Sequence, residues 1–186
     1  MAIFDENSLP VIRQLADSMP GGFFIYEATG DEKLIYANLA LVRIFGCETV
    51  EELMDYVHGS FRGIVHPEDY EKIESSIDGQ IQQDADHYDY VEYRIIRKDG
   101  SVRWLLDYGH FVHTEEHGDF FYVFVNDDTE RHARQMKVSR ENETAKEYMD
   151  AIHALGSTYD YVYKLDRHTK ALKILHGNSD TVGITQ

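Results

Sequence analysis

A chain of 186 residues that is 42% hydrophobic and 28% charged holds one domain of ordinary size with a remainder, or two small ones, and its composition excludes disordered, collagenous and low-complexity classes. Its 34 acidic and 18 basic residues leave a net charge of −16, which repels phosphate backbones and anionic membrane surfaces, so nucleic acid is not an expected partner. One cysteine excludes an intrachain disulfide and a thiolate cluster; with no leader pattern and no apolar run of about 18 residues, a cytoplasmic location without membrane insertion is expected.

The first element is a short leading helix within residues 1–16, predicted from Val11, Ile12, Leu15 and Ala16 at helical spacing ahead of Pro20-Gly21-Gly22. Residues 23–28 and 33–37, rich in aromatic and β-branched side chains, flank Thr29-Gly30-Asp31 and read as a hairpin. Asn38 is placed to cap a helix carrying Leu41, Val42 and Phe45, with Gly46 to end it; Thr49 and Glu52 have capping-box spacing for a second. His66-Pro67-Glu68-Asp69 predicts a third helix with proline at its first position and acids in its first turn. Tyr70, Ile73, Ile77 and Ile81 give that helix its apolar face.

A strand over residues 88–97, the turn Asp99-Gly100, a strand over 102–112 and a last strand over 120–125 complete an order in which two hairpin halves flank a set of helices. Neither half can bury its own face, so the two are expected to join in one five-stranded antiparallel sheet with helices on one face, an α+β fold. Residues 129–155 lack Gly and Pro and read as one long helix in which Val138, Ala145 and Ile152 recur every seven residues, beside Tyr148 and Leu155. Residues 161–165 and 171–175 then repeat the helix-then-hairpin order.

Five stretches, in order, make residues 17–131 resemble the PAS sensory family, in its bacterial subclass with a long final hairpin: Leu34-Ile35-Tyr36-Ala37-Asn38; Ile44-Phe45-Gly46; Val65-His66-Pro67-Glu68-Asp69; Tyr93 through Trp104; and Asp127-Asp128-Thr129-Glu130. In the last, Asp128 stands where the family carries an aliphatic residue. The resemblance implies a PAS domain over 17–128, a signalling linker helix over 129–155, and the beginning of a second, truncated PAS-like repeat over 156–186. The seven-residue recurrence on the linker helix, an apolar stripe its own sheet cannot wholly cover, leads to an expected homodimer associating through Val138, Ala145, Tyr148, Ile152 and Leu155. The signal would pass to a covalently linked output enzyme C-terminal to this chain, a diguanylate cyclase or a histidine kinase of the kind found in cyclic di-GMP and two-component signalling.

Strand alternation puts Tyr93 and Ile95 on one face, and Val123 and Val125 on one face. On the strand between them both parities carry apolar groups; family geometry favours Leu105, Asp107 and Phe111 inward. With Phe45, these residues outline the expected ligand pocket or its filled equivalent. No catalytic residues are expected: the sequence has no phosphate-cradling Gly-x-x-x-x-Gly-Lys and no Gly-x-Ser-x-Gly elbow. His110 and His113 point to opposite faces of a strand and cannot share an ion, His66 has a capping role beside Pro67, and Cys47 lacks the motif of flavin-bonding relatives, so neither metal nor cofactor is expected. Two readings stay open: a sensor of an unknown small molecule, and a protein-interaction module with a filled core.

Overall fold

A computed structural model of the chain describes residues 9–116, 118–158 and 161–177. Helix α1 (Leu9–Asp17) precedes strands β1 (Gly22–Glu27) and β2 (Leu34–Ala37). Helices α2 (Leu39–Phe45), α3 (Val50–Tyr56), α4 (Phe61–Ile64) and α5 (Tyr70–Gln83) follow. Strands β3 (Tyr88–Ile96), β4 (Val102–Thr114) and β5 (Gly118–Asp127) then lead into α6 (Thr129–Gly156), and a separate hairpin is built from β6 (Tyr161–Leu165) and β7 (Leu172–Gly177). The chain divides into two compact units whose boundary falls within α6, after His132.

In the first unit the five strands form one antiparallel sheet in the order β2-β1-β5-β4-β3, so the two hairpin halves join through β1 and β5. Its interior holds Phe24, Leu41, Phe45, Leu53, Phe61, Tyr93, Ile95, Leu105, Val123 and Val125. Ala16, in the last turn of α1, packs with Ile25, Tyr36 and Phe120, which have the opposite parity. The leading helix therefore ends against the sheet's other face.

Local chemistry explains the joints. Asn38 is fully buried: its Oδ1 accepts from the Leu41 and Phe23 N–H groups, and its Nδ2 donates to the Ala16 and Gly21 carbonyls. One side chain thus caps α2 and fastens it to α1 and β1. Gly46 ends α2 at φ 74°, the left-handed geometry a helix C-terminus favours. Thr49 accepts from the Glu52 N–H, and the Glu52 carboxylate reaches back to the Glu48 N–H, one residue earlier than the standard box.

Two elements differ from the sequence expectation. Helix α5 becomes regular only at Tyr70, while Pro67 to Asp69 form a turn. The reason lies in Asp69, whose carboxylate is taken by Arg94: Oδ2 accepts from its backbone N–H and Nε, and Oδ1 from its Nη2. That clasp fixes the start of α5 to β3 rather than serving the helix dipole. Helix α4 has no counterpart in the apolar pattern, because four residues are one turn, too short to show periodicity; Ser60 caps it by accepting from the Gly63 N–H.

Helix α6 is continuous over its predicted length. Every residue from Ala133 to Ala151 is exposed, and Ile152 is buried at 5%. The β6–β7 hairpin forms where residues 161–165 and 171–175 predict one; the rest of the suggested second repeat, from residue 178 onward, lies outside the described residues, as do residues 1–8.

Candidate ligand site in the sheet interior

Strand β3 alternates strictly: Asp89, Val91, Tyr93 and Ile95 are buried, while Tyr88, Tyr90 and Glu92 are exposed. Register with β4 sets Asp89 opposite Gly109, Val91 opposite Asp107 and Tyr93 opposite Leu105. Across β4, Asp107 faces Val125 and Gly109 faces Val123 on β5. The seven candidate residues Phe45, Tyr93, Ile95, Leu105, Asp107, Val123 and Val125 are therefore brought onto one buried surface, each no more than 2% exposed. Phe111 is partly buried and packs edge-on against Phe121.

The interior is more acidic than an apolar pocket. The Tyr93 hydroxyl donates to Asp107 Oδ2 at 2.7 Å. Burial pushes the Asp107 carboxyl far above its ordinary value; the Tyr93 hydrogen bond opposes this, and the negative charge of Asp89 adds to it. Burial alone raises Asp89 to about 6. Among the described residues, neither oxygen of Asp89 has a hydrogen-bond partner. Burial, followed by the charges of Asp107 and Asp89, also raises the Tyr26 phenol, and its ring stacks on Phe61 at 4.6 Å and on Phe121 at 5.0 Å.

Asp89, Gly109 and Tyr26 lie outside the set of residues to which the sequence points. The signal for Asp89 was present, because it shares odd parity with Tyr93 and Ile95; an aspartate near a strand end reads as a solvated turn residue unless that parity is carried through.

The other candidates are placed as ordinary structural groups. His113 Nδ1 pairs with Asp119 Oδ1 at 2.6 Å, and His110 stacks on Tyr88. His66 Nδ1 accepts from the Glu68 N–H. Cys47 is buried, which raises its thiol. Among the described residues no group of three or more His, Cys, Asp or Glu could hold a metal ion, and no helix is long and apolar enough to cross a membrane.

A second cluster joins the sheet to α6. The Trp104 N–H donates to Thr129 Oγ1, and the Asp128 N–H donates to the Trp104 carbonyl. Arg131 bridges Asp128 and Glu92 of β3, while the Trp104 indole stacks on His132 at 3.8 Å. Asp128 therefore fills its usually aliphatic position as the partner of Arg131.

A sheet of order β2-β1-β5-β4-β3 enclosing a helix-covered interior defines a sensory-domain architecture, and the PAS fold family matches residues 34–126. The chain belongs to that family. Solved structures with the same fold include an RNA-binding light-oxygen-voltage receptor, with 19% identity, a TM-score of 0.57 and coverage of 76% of this chain and 40% of that one. They also include the PAS domain of an HTR-like protein from Haloarcula marismortui, with 20% identity, a TM-score of 0.50 and coverage of 66% of this chain and 93% of that one. A sensory box histidine kinase/response regulator from Burkholderia thailandensis matches with 18% identity, a TM-score of 0.51 and coverage of 74% of this chain and 98% of that one. No curated protein matches the chain.

Proposed function

We propose that the chain is a cytoplasmic sensory and dimerisation region of a bacterial signalling protein, without catalysis of its own, that relays the state of its interior through α6 to an output enzyme. One observation carries this reading. The root of α6 is fastened to the strands that line the interior: Thr129 and Asp128 bond both backbone groups of Trp104, next to the buried Leu105, and Arg131 reaches Glu92, next to the buried Tyr93. A shift of β4 or β3 must therefore displace the first turn of the helix.

Beyond that root, Val138, Tyr148 and Leu155 are 46–55% exposed and Ala145 is exposed, a thin apolar set that a second copy would cover. Ile152 is already buried within the chain and stands apart from this set. Residues 156–186 fit the opening of a second PAS-like repeat, since Tyr163, Leu165, Leu172 and Ile174 of the hairpin are 49–62% exposed and a two-stranded ribbon needs further cover. The output enzyme would be a diguanylate cyclase or a histidine kinase, the latter being the kind of protein to which the similar Burkholderia thailandensis structure belongs.

The test is a fusion of α6 to a diguanylate cyclase module, with three-, four- or seven-residue insertions after Ala145. A helical relay predicts that the seven-residue insertion keeps the basal output while the three- and four-residue insertions change it. Equal output from all three contradicts the relay.

A further inference from the structure

Asp89 is 4% exposed and among the described residues neither of its oxygens has a hydrogen-bond partner, although an unpartnered buried carboxylate is among the costliest groups a core can hold. Gly109 stands opposite it on β4, where a Cβ would come within 2.1 Å of Asp89 Oδ2. The carboxylate thus lies over an inner-face position that carries no side chain. Asp107, 1% exposed, occupies the diagonal position, with the two Cα atoms about 7–8 Å apart. Among the described residues no positive charge acts on either acid. The walls are aromatic, with Phe61, Tyr26 and Phe121 in one stack and Phe61 edge-on to Tyr93.

We infer that this interior binds a small protonated amine, its N–H groups donating to Asp89 and Asp107 and its alkyl part lying against the stacked rings. The inference rests on the sensory reading above and names the chemical class sensed. An anion is repelled by Asp89, and a neutral apolar molecule leaves it unpaired. An ammonium carries three donors in a compact head, enough for both Asp89 oxygens and one to Asp107, and its charge is attracted to ring faces.

The experiment is thermal unfolding of the full chain at pH 7.5 and constant ionic strength with n-propylammonium, n-propanol or propionate. At tenfold excess over its Kd, propylammonium is expected to raise the unfolding midpoint by about 3–6 °C, with no rise from the alcohol or the carboxylate. Asp89→Asn, which removes an unpaired charge and keeps its shape, is expected to fold with an unchanged circular dichroism spectrum and to lose the response; Asp107→Asn is expected to weaken it. No rise in the wild type at about 100 mM propylammonium, or an equal rise in Asp89→Asn, overturns the inference. Failure here with an intact α6 dimer leaves the relay reading standing, whereas an amine response in a strictly monomeric chain separates the two in the opposite direction.

Discussion

The Tyr93 hydroxyl meets Asp107 Oδ2 at 2.7 Å from the neighbouring strand, with both side chains at most 1% exposed. A hydrogen bond inside a core this dry is worth most through what its loss leaves behind. Tyr93→Phe should cost about 1–3 kcal/mol in urea unfolding at neutral pH, because the acceptor stays buried without its donor. Asp107→Asn, which retains an acceptor for the Tyr93 hydroxyl, should cost less than Tyr93→Phe. The opposite ranking would mean that the carboxylate is held by groups other than Tyr93.

Stability should fall as pH rises through the range set by Asp89. Its folded-state value is raised to about 6 by burial, above the ordinary carboxylate value, so between about 4 and 6 the folded state binds more protons than the unfolded one and each step up in pH costs stability. Asp107, shifted in the same direction, extends the trend. Asp89→Asn should be more stable than wild type at pH 7.5 by up to about 3 kcal/mol, from a shift of two units at 1.36 kcal/mol each. The difference should shrink towards pH 4, as followed by urea midpoints across the series.

Gly109 tests the same geometry from the other strand. A methyl group there meets the Asp89 carboxylate at 2.1 Å, so Gly109→Ala should destabilise by about 1–3 kcal/mol. Combined with Asp89→Ala, most of that cost should vanish, giving a coupling well outside the additivity expected of independent sites.

Much of this architecture was legible because single residues carried unambiguous chemistry. Asn38 between a strand and an apolar helix, Asp99-Gly100 between alternating runs, and the Tyr93 and Ile95 parity each point one way only. Helix α4 was hidden because one turn has no period, and the start of α5 was displaced because Asp69 serves Arg94, a partner 25 residues away. The burial of Asp89 is masked in the sequence because its polarity outweighs its parity, and its solitude emerges only from the β3–β4 register. The burial of Ile152 was likewise invisible: a seven-residue spacing records which side of a helix is apolar, not what covers it.

The Asp69–Arg94 clasp gives a prediction of opposite sign in pH. Arg94 holds the Asp69 carboxyl below its ordinary value, so this contribution is present above the unfolded carboxylate range and is lost as pH falls. Asp69→Asn should cost about 1–2 kcal/mol at pH 7. Its deficit should narrow below about pH 4, measured by urea unfolding at both pH values.

Association through α6 is read most directly by sedimentation of the full chain from about one to several hundred micromolar, for wild type and for Val138→Asp and Leu155→Asp. A thin exposed stripe predicts a reversible dimer of roughly micromolar Kd, about 8 kcal/mol of association free energy, which either substitution shifts towards monomer. A wild-type chain that stays monomeric across the range, or a dimer indifferent to both substitutions, would contradict it.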